Sequence, residues 1–215
     1  MVENEKKFIL GLDISTKTIG IALYEDFGSY GKLVLLHHVT PNVKPIPTNK
    51  MELLFLKGDI FENDFLKDYT NFNIHKVIIE EPLLRSNNVN TVATLLKFNG
   101  IVSRAIYKML NVVPEYVSSY DARKYAFPEL MAIREVDKKG VRYSDKKLST
   151  QKPVLFGGYK WDIDKKSVLW DKVAETYPQI NWIYNKKNIL TKENFDMADS
   201  VCATLGYMKK MGLWE

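Results

Sequence analysis

The chain has 215 residues, 46% hydrophobic and 27% charged, with a formal net charge of +5 and one cysteine. These values describe a globular protein with a substantial core, and they exclude disorder, an intramolecular disulfide and a cysteine-based zinc site. No stretch approaches the roughly 20 apolar residues of a membrane span and MVENEKKF lacks an apolar signal core, so a cytoplasmic protein without a membrane partner is expected.

Phe8 to Asp13 is a short apolar run ending in an acid, and Thr18 to Tyr24 is a second, so the polar residues between them predict a hairpin. Lys32 to Val39 reads as a third strand, and the prolines between Pro41 and Pro47 end it. A helix is expected from Thr48 to Tyr69, weakened in its middle by Gly58. HKVIIE, from His75 to Glu80, is a buried strand that Pro82 stops, because proline cannot donate to a ladder.

A long amphipathic helix follows from Ser86 to Leu110, then a fifth strand from Val112 to Val117 and a short helix with Ser119 or Asp121 as cap. Pro128 to Lys160 shows no period and reads as a basic insertion or a long loop in a single domain spanning residues 1–215. Helices close the chain at Lys165 to Tyr177 and Lys192 to Met211, the second with Ala198, Val201, Cys202 and Leu205 facing inward. Cys202 is thus expected as a buried structural thiol. A three-strand meander followed by alternating strands and helices predicts a mixed α/β sheet with helices on its faces.

Acids punctuate this pattern. Asp13 and Glu80 end apolar strands, where an unpaired carboxylate is costly and two together repel unless a cation joins them. Asp196 and Asp199 are three apart and share one helical face, beside the small residues Ala198 and Ser200 that permit close approach to a sheet. Oxygen-only ligands favour magnesium or manganese, and two such ions roughly 4 Å apart can activate water and stabilise the leaving oxygen of a phosphodiester. The basic excess and a pI near 9.0 are compatible with a polyanion partner. Only five of the 31 basic residues are arginine, which favours long-range attraction to phosphate over bidentate base reading.

LGLDISTKTIGIAL, VIIEEPL and FDMADSVCA, in that order, resemble the three motifs of the RuvC Holliday junction resolvases of the RNase H-like superfamily, and they span Gly11 to Thr204. The resemblance implies an RNase H-like fold with a mixed five-stranded sheet flanked by helices. It also implies an endonuclease that resolves four-way DNA junctions as a homodimer, with two Mg2+ ions per site and Mn2+ able to substitute. Asp13 would be the ligand shared by both ions, with Glu80, Asp196 and Asp199 completing the set; Glu81 competes with Glu80. DKKSVLWDKV is similar to the family's lysine-bearing segment, with Lys166 or Lys165 touching phosphate, although the spacing of glycines before it departs from the family pattern. Arg85, Asn87, Asn88, Arg123 and Lys124 fall where that fold presents residues to DNA, with helix capping by Ser86 or Asn88 as the alternative. Lys138, Lys139, Arg142, Lys146, Lys147 and Lys152 could form a DNA-binding arm or a solvated loop, and Tyr120, Tyr125, Phe127 and Tyr159 could stack on bases or pack in the core. The histidines receive no catalytic role, and the lysine- and asparagine-rich composition matches an A+T-rich genome, such as that of a phage in a bacterial host or of a low-G+C bacterium.

Other readings remain. DISTKT also fits the phosphate hairpin of an actin-like ATPase, but the second phosphate loop of that fold is missing. A RuvC-like nuclease for branched, flapped or duplex DNA, and a non-catalytic DNA-binding module, complete the alternatives.

Overall fold

The computed structural model describes residues 6–82 and 88–215. Strands β1 (Lys7–Ile14), β2 (Ile19–Asp26) and β3 (Gly31–Val39) form an antiparallel meander. Helix α1 (Lys50–Asp64) and a 3-10 turn (Leu66–Tyr69) lead to β4 (Ile74–Glu80), which lies parallel to β1. Helix α2 (Val89–Leu110) then crosses to β5 (Glu115–Val117), parallel to β4, giving the sheet order β3-β2-β1-β4-β5. This is a mixed five-stranded sheet with helices on both faces, as the element order predicts.

Helix α3 (Ser119–Ala126) follows directly, capped by Ser118, whose Oγ accepts from the Asp121 amide at 3.1 Å. Neither Ser119 nor Asp121 is the cap, because the helix begins one residue earlier than the sequence pattern indicates. Residues 128–160, where the sequence shows no period, contain a 3-10 turn, a two-stranded ribbon of β6 (Met131–Ala132) and β7 (Val154–Leu155), and the short α4 (Asp145–Leu148). Helices α5 (Lys165–Thr176) and α6 (Glu193–Lys210) complete the chain.

Side chains alternate across the sheet, so each strand feeds two cores. Leu10, Leu12, Ile14, Ile21, Val77 and Ile79 pack beneath α1 and α2 with Phe61, Phe98 and Val102. Ile9, Ala22 and Ile78 face the other way, toward Ala198, Val201, Cys202 and Leu205 of α6. Each such fully buried aliphatic side chain contributes about 1.5–3 kcal/mol. Helix α6 is covered on both sides, with the sheet below and α3 and α5 above, which is why it is buried well beyond its expected inward stripe.

Gly58 does not weaken α1 so much as admit its neighbour, since a Cβ there would lie 2.5 Å from Ile101 Cγ2 on α2. The fifth strand is shorter than the apolar run from Val112 implies, because only Glu115 to Val117 reach the β4 ladder.

Candidate active site

Because β1 and β4 are parallel, their carboxyl ends lie side by side, with Leu12 beside Ile79 and Asp13 and Glu80 next in each strand. Ligand sites in such sheets lie outside the carboxyl ends of parallel strands. Alternation also separates Glu80 from Glu81. Ile78 belongs to the core under α6 and Ile79 to the opposite one, so Glu80 shares the α6 face. Glu81 instead borders a surface groove with Pro82, Leu96 and Tyr116.

The acids of α6 reach this point because the helix rests directly on strand backbone. A Cβ on Gly20 would lie 2.0 Å from the Asp196 carbonyl oxygen, and one on Gly11 would lie 2.8 Å from the Ser200 carbonyl. Gly20 pairs with Asp13 across the hairpin, so one tight contact sets Asp13 and Asp196 relative to each other.

Asp13, Asp196 and Asp199 each present a carboxylate oxygen within 4.8 Å of the other two. Glu80 stands beside them; its Oε1 accepts a short hydrogen bond from Ser119 Oγ, and its Oε2 is buried with no hydrogen-bond partner among the described residues. Arg123 Nη2 donates to Asp199 Oδ1 at 2.9 Å, and Lys166 Nζ lies 3.5 Å from Asp196 Oδ1 and 3.7 Å from Asp199 Oδ2.

Crowding of like charge in a partly dry site disturbs these groups. Burial, then Glu80, Asp199 and Asp196, push the Asp13 carboxyl well above the usual carboxylate range, against the pull of Lys166. Burial and then Asp199 raise Glu80 to about 7, although Arg123, Ser119 and Lys166 oppose the shift. Burial lifts Asp196 as well, with Lys166 opposing. Burial works against the Lys166 ammonium, but Asp199, Asp196 and Asp13 hold it above its ordinary value. Clustered carboxylates with raised proton affinity and an unpartnered buried oxygen are the features a hard divalent cation relieves, and the all-oxygen donor set fits magnesium or manganese.

The other expected contacts divide. Lys166 joins the acids, positioned by Asp164, which caps α5 by accepting from the Lys166 amide at 3.0 Å. Lys165 instead lies over the Phe156 ring, its Nζ 6.0 Å from the centroid. Arg123 is turned inward onto Asp199, whereas Lys124 lies 5.0 Å over the Tyr125 ring. Asn88 caps α2, accepting from the Thr91 amide at 3.2 Å, as the capping alternative has it. Arg85 and Asn87, with Ser86, lie outside the described residues. Phe127 is core, Tyr120 is exposed, and Tyr125 and Tyr159 are half-buried. Cys202 is fully buried, with burial pushing its thiol up.

The hairpin turn takes up two of its amides internally. Ser15 Oγ takes the Lys17 and Thr18 N–H groups at 3.2 and 3.0 Å, which speaks against a phosphate-wrapping loop.

Two polar residues escape sequence reasoning. Ser119 holds Glu80, as above. Asn194, fully buried at the start of α6, exchanges hydrogen bonds with the Ile183 amide (2.9 Å) and carbonyl (2.7 Å), and donates to the Thr191 carbonyl at 3.1 Å. It staples the preceding loop to the helix that carries the aspartates. Asn194→Ala strands those groups and is expected to cost about 1–3 kcal/mol, read as a lowered denaturation midpoint. A midpoint unchanged within error would show that the staple has no structural weight.

Fold and site together define an RNase H-like, RuvC-like architecture with an acidic cluster consistent with a metal site. No protein-family model matches the sequence, and neither does any curated protein. Among solved structures the chain is similar to Thermus thermophilus RuvC, with a TM-score of 0.51 and 14% identity over 96% of this chain and 97% of that one. It is similar to T. thermophilus RuvC in complex with Holliday junction substrate, with a TM-score of 0.53 and 11% identity over 96% and 97% of the two chains. The yeast mitochondrial Holliday junction resolvase Ydc2 gives a TM-score of 0.50 and 13% identity over 95% of this chain and 79% of that one. At these identities the likeness is one of fold. No helix among the described residues is long and apolar enough to cross a membrane.

Proposed function

We propose that this chain is a divalent-metal-dependent DNA endonuclease that acts on branched DNA, four-way junctions foremost, as a homodimer. The observation that carries the reading is the convergence of Asp13, Asp196 and Asp199 beside the unpartnered Glu80 oxygen, at the carboxyl ends of parallel strands. Residues 1–215 are read as one nuclease domain, with 128–160 inserted.

Asp13, Glu80, Asp196 and Asp199 would hold magnesium or manganese, as two ions in the motif-based reading. Bound there, such ions supply a water-derived nucleophile near neutral pH and stabilise charge on the leaving oxygen. The protein does the positioning. The carboxylates are fixed by Gly20 and by Ser119, so little reorganisation is needed when substrate arrives. Burial and Asp199 raise Glu80 to about 7, so a cation held there would compete with its proton. Lys166 offers N–H donors to phosphate at the edge of the cluster, and Arg123, turned inward, holds Asp199. A cleft of about 470 Å³, lined by Lys17, Lys166, Lys192 and Asp196, leaves room for a phosphodiester beside the acids.

The choice of four-way junctions follows the motif resemblance and the fold shared with resolvases. Incubation with four-way junction, flap and linear duplex DNA of matched sequence tests it. Opposed nicks across the junction with ligatable ends are expected; equal cutting of all three substrates would favour the broader nuclease.

A further inference from the structure

The segment between α3 and α5 has a strongly basic middle, flanked by the acids Glu135 and Asp137 on one side and Asp162 and Asp164 on the other. Residues 138–160 hold seven lysines and arginines against one aspartate, a net +6 in a chain whose total is +5. All seven are exposed. Among the described residues only Arg142 of these seven meets an acid, Asp145 at 3.3 Å, in a pair that is itself exposed. A cluster of exposed cations, only one of them paired with an acid among the described residues, fits a polyanion.

The root of this segment is rigid. Met131 pairs with Leu155 and Ala132 with Val154, and Gly157 sits so close to the Ala132 carbonyl that a Cβ would lie 1.8 Å from it. Arg134 donates to the Phe156 carbonyl at 2.7 Å and to the Tyr159 carbonyl, tying the two sides together. Trp161 stands on this base, 41% exposed. Its Nε1 donates to the Val136 carbonyl at 2.9 Å, and the Arg134 guanidinium and Lys138 ammonium lie 4.6 and 5.6 Å from its ring centroid. An indole with a fixed orientation, exposed and flanked by cations, combines the two elements of single-strand recognition, a flat π-surface for a base and positive charge for the adjoining phosphates. The segment is also rooted between α3 and α5, the helices whose Arg123 and Lys166 touch the catalytic acids.

We propose that residues 128–164 form an arm that holds unpaired DNA next to the cleavage site, with Trp161 stacking on a base and Lys138, Lys139, Lys146 and Lys147 contacting phosphates. It rests on the DNA-nuclease reading above and goes further by naming the single-stranded part of the substrate and the residues that grip it.

The test is binding of fluorescent forked DNA with single-stranded arms, and of fully paired duplex of the same length, over a range of salt concentrations with calcium in place of magnesium. Trp161→Leu is expected to weaken binding to the fork by about tenfold while changing duplex binding by less than about twofold; Trp161→Phe, which keeps a ring, restores most of the affinity. A combined Lys138→Gln, Lys139→Gln, Lys146→Gln, Lys147→Gln variant is expected to weaken both and to flatten the dependence of log K on log salt by roughly 2 to 4. Circular dichroism confirms folding of each variant, and the lysine variant and Trp161→Phe keep the test valid if Trp161→Leu misfolds. Wild-type affinity in the lysine variant, or equal loss on fork and duplex in Trp161→Leu, would overturn the arm while wild-type cleavage left the nuclease reading standing. Fork binding that depends on the arm, without cleavage in magnesium, would do the reverse. A wild type that binds neither DNA would end both.

Discussion

Asp13→Asn is expected to reduce metal-dependent DNA cleavage by on the order of 10³-fold or more and, in chelator, to raise the melting temperature. Both effects come from one cause. Asp13 sits among Glu80, Asp199 and Asp196 in a buried setting, so folding favours its protonated form. Glu80 shares the problem, rising from its ordinary 4.5 to about 7. A carboxyl whose proton affinity is raised by folding contributes stability fully below its unfolded pKa and loses it as pH climbs to the folded one. The metal-free protein should therefore weaken between about pH 4.5 and 7, where the unfolded chain gives up the Glu80 proton and the folded protein still holds it. That loss amounts to about 1–3 kcal/mol, and an amide at position 13 relieves part of it. Each kcal/mol corresponds to about 2–4 °C in a domain of this size. Magnesium should reverse the order, stabilising wild type more than the variant. Thermal unfolding of both proteins, with chelator and with magnesium across this pH range, reads these signs; a variant less stable than wild type in chelator would contradict the electrostatic account.

Gly20→Ala is the second substitution with a large expected effect. The added Cβ would lie 2.0 Å from the Asp196 carbonyl oxygen and 2.8 Å from the Met197 amide nitrogen, both backbone atoms that no rotamer change can move. Helix α6 must shift off the sheet, at a cost of about 1–3 kcal/mol or more. The same shift carries Asp196 and Asp199 away from Asp13, and a displacement near 1 Å costs about 10²-fold in a positioned site. Denaturant midpoint and specific activity should fall together. Normal activity in a stably folded Gly20→Ala protein would show that the helix contact does not position the acids.

Much of this was readable because strand alternation and helical period are strong signals. The acids that end β1 and β4 follow from apolar runs that stop abruptly, and parity along VIIEE separates Glu80 from Glu81 once the sheet assigns its faces. Spacing alone places Asp196 and Asp199 on one face. What sequence could not show was tertiary. Arg123 looked like a surface contact because a basic residue after a strand has no visible partner, yet the packing of α3 on α6 turns it onto Asp199. Asn194 looked like an ordinary first-turn residue, because its partners at Ile183 and Thr191 come from an aperiodic loop. The insertion had no period to read, since its ribbon is only two residues long on each side. Its order comes from Arg134 and Phe156, whose partners are backbone carbonyls and core residues.

The central claim, that the clustered carboxylates drive metal-dependent cutting of DNA, is tested most directly by incubating wild type and Asp13→Asn with labelled four-way junction DNA in magnesium and in chelator. Cleavage by wild type in magnesium alone is the predicted result; cleavage that survives either chelation or the loss of the Asp13 carboxylate would contradict it.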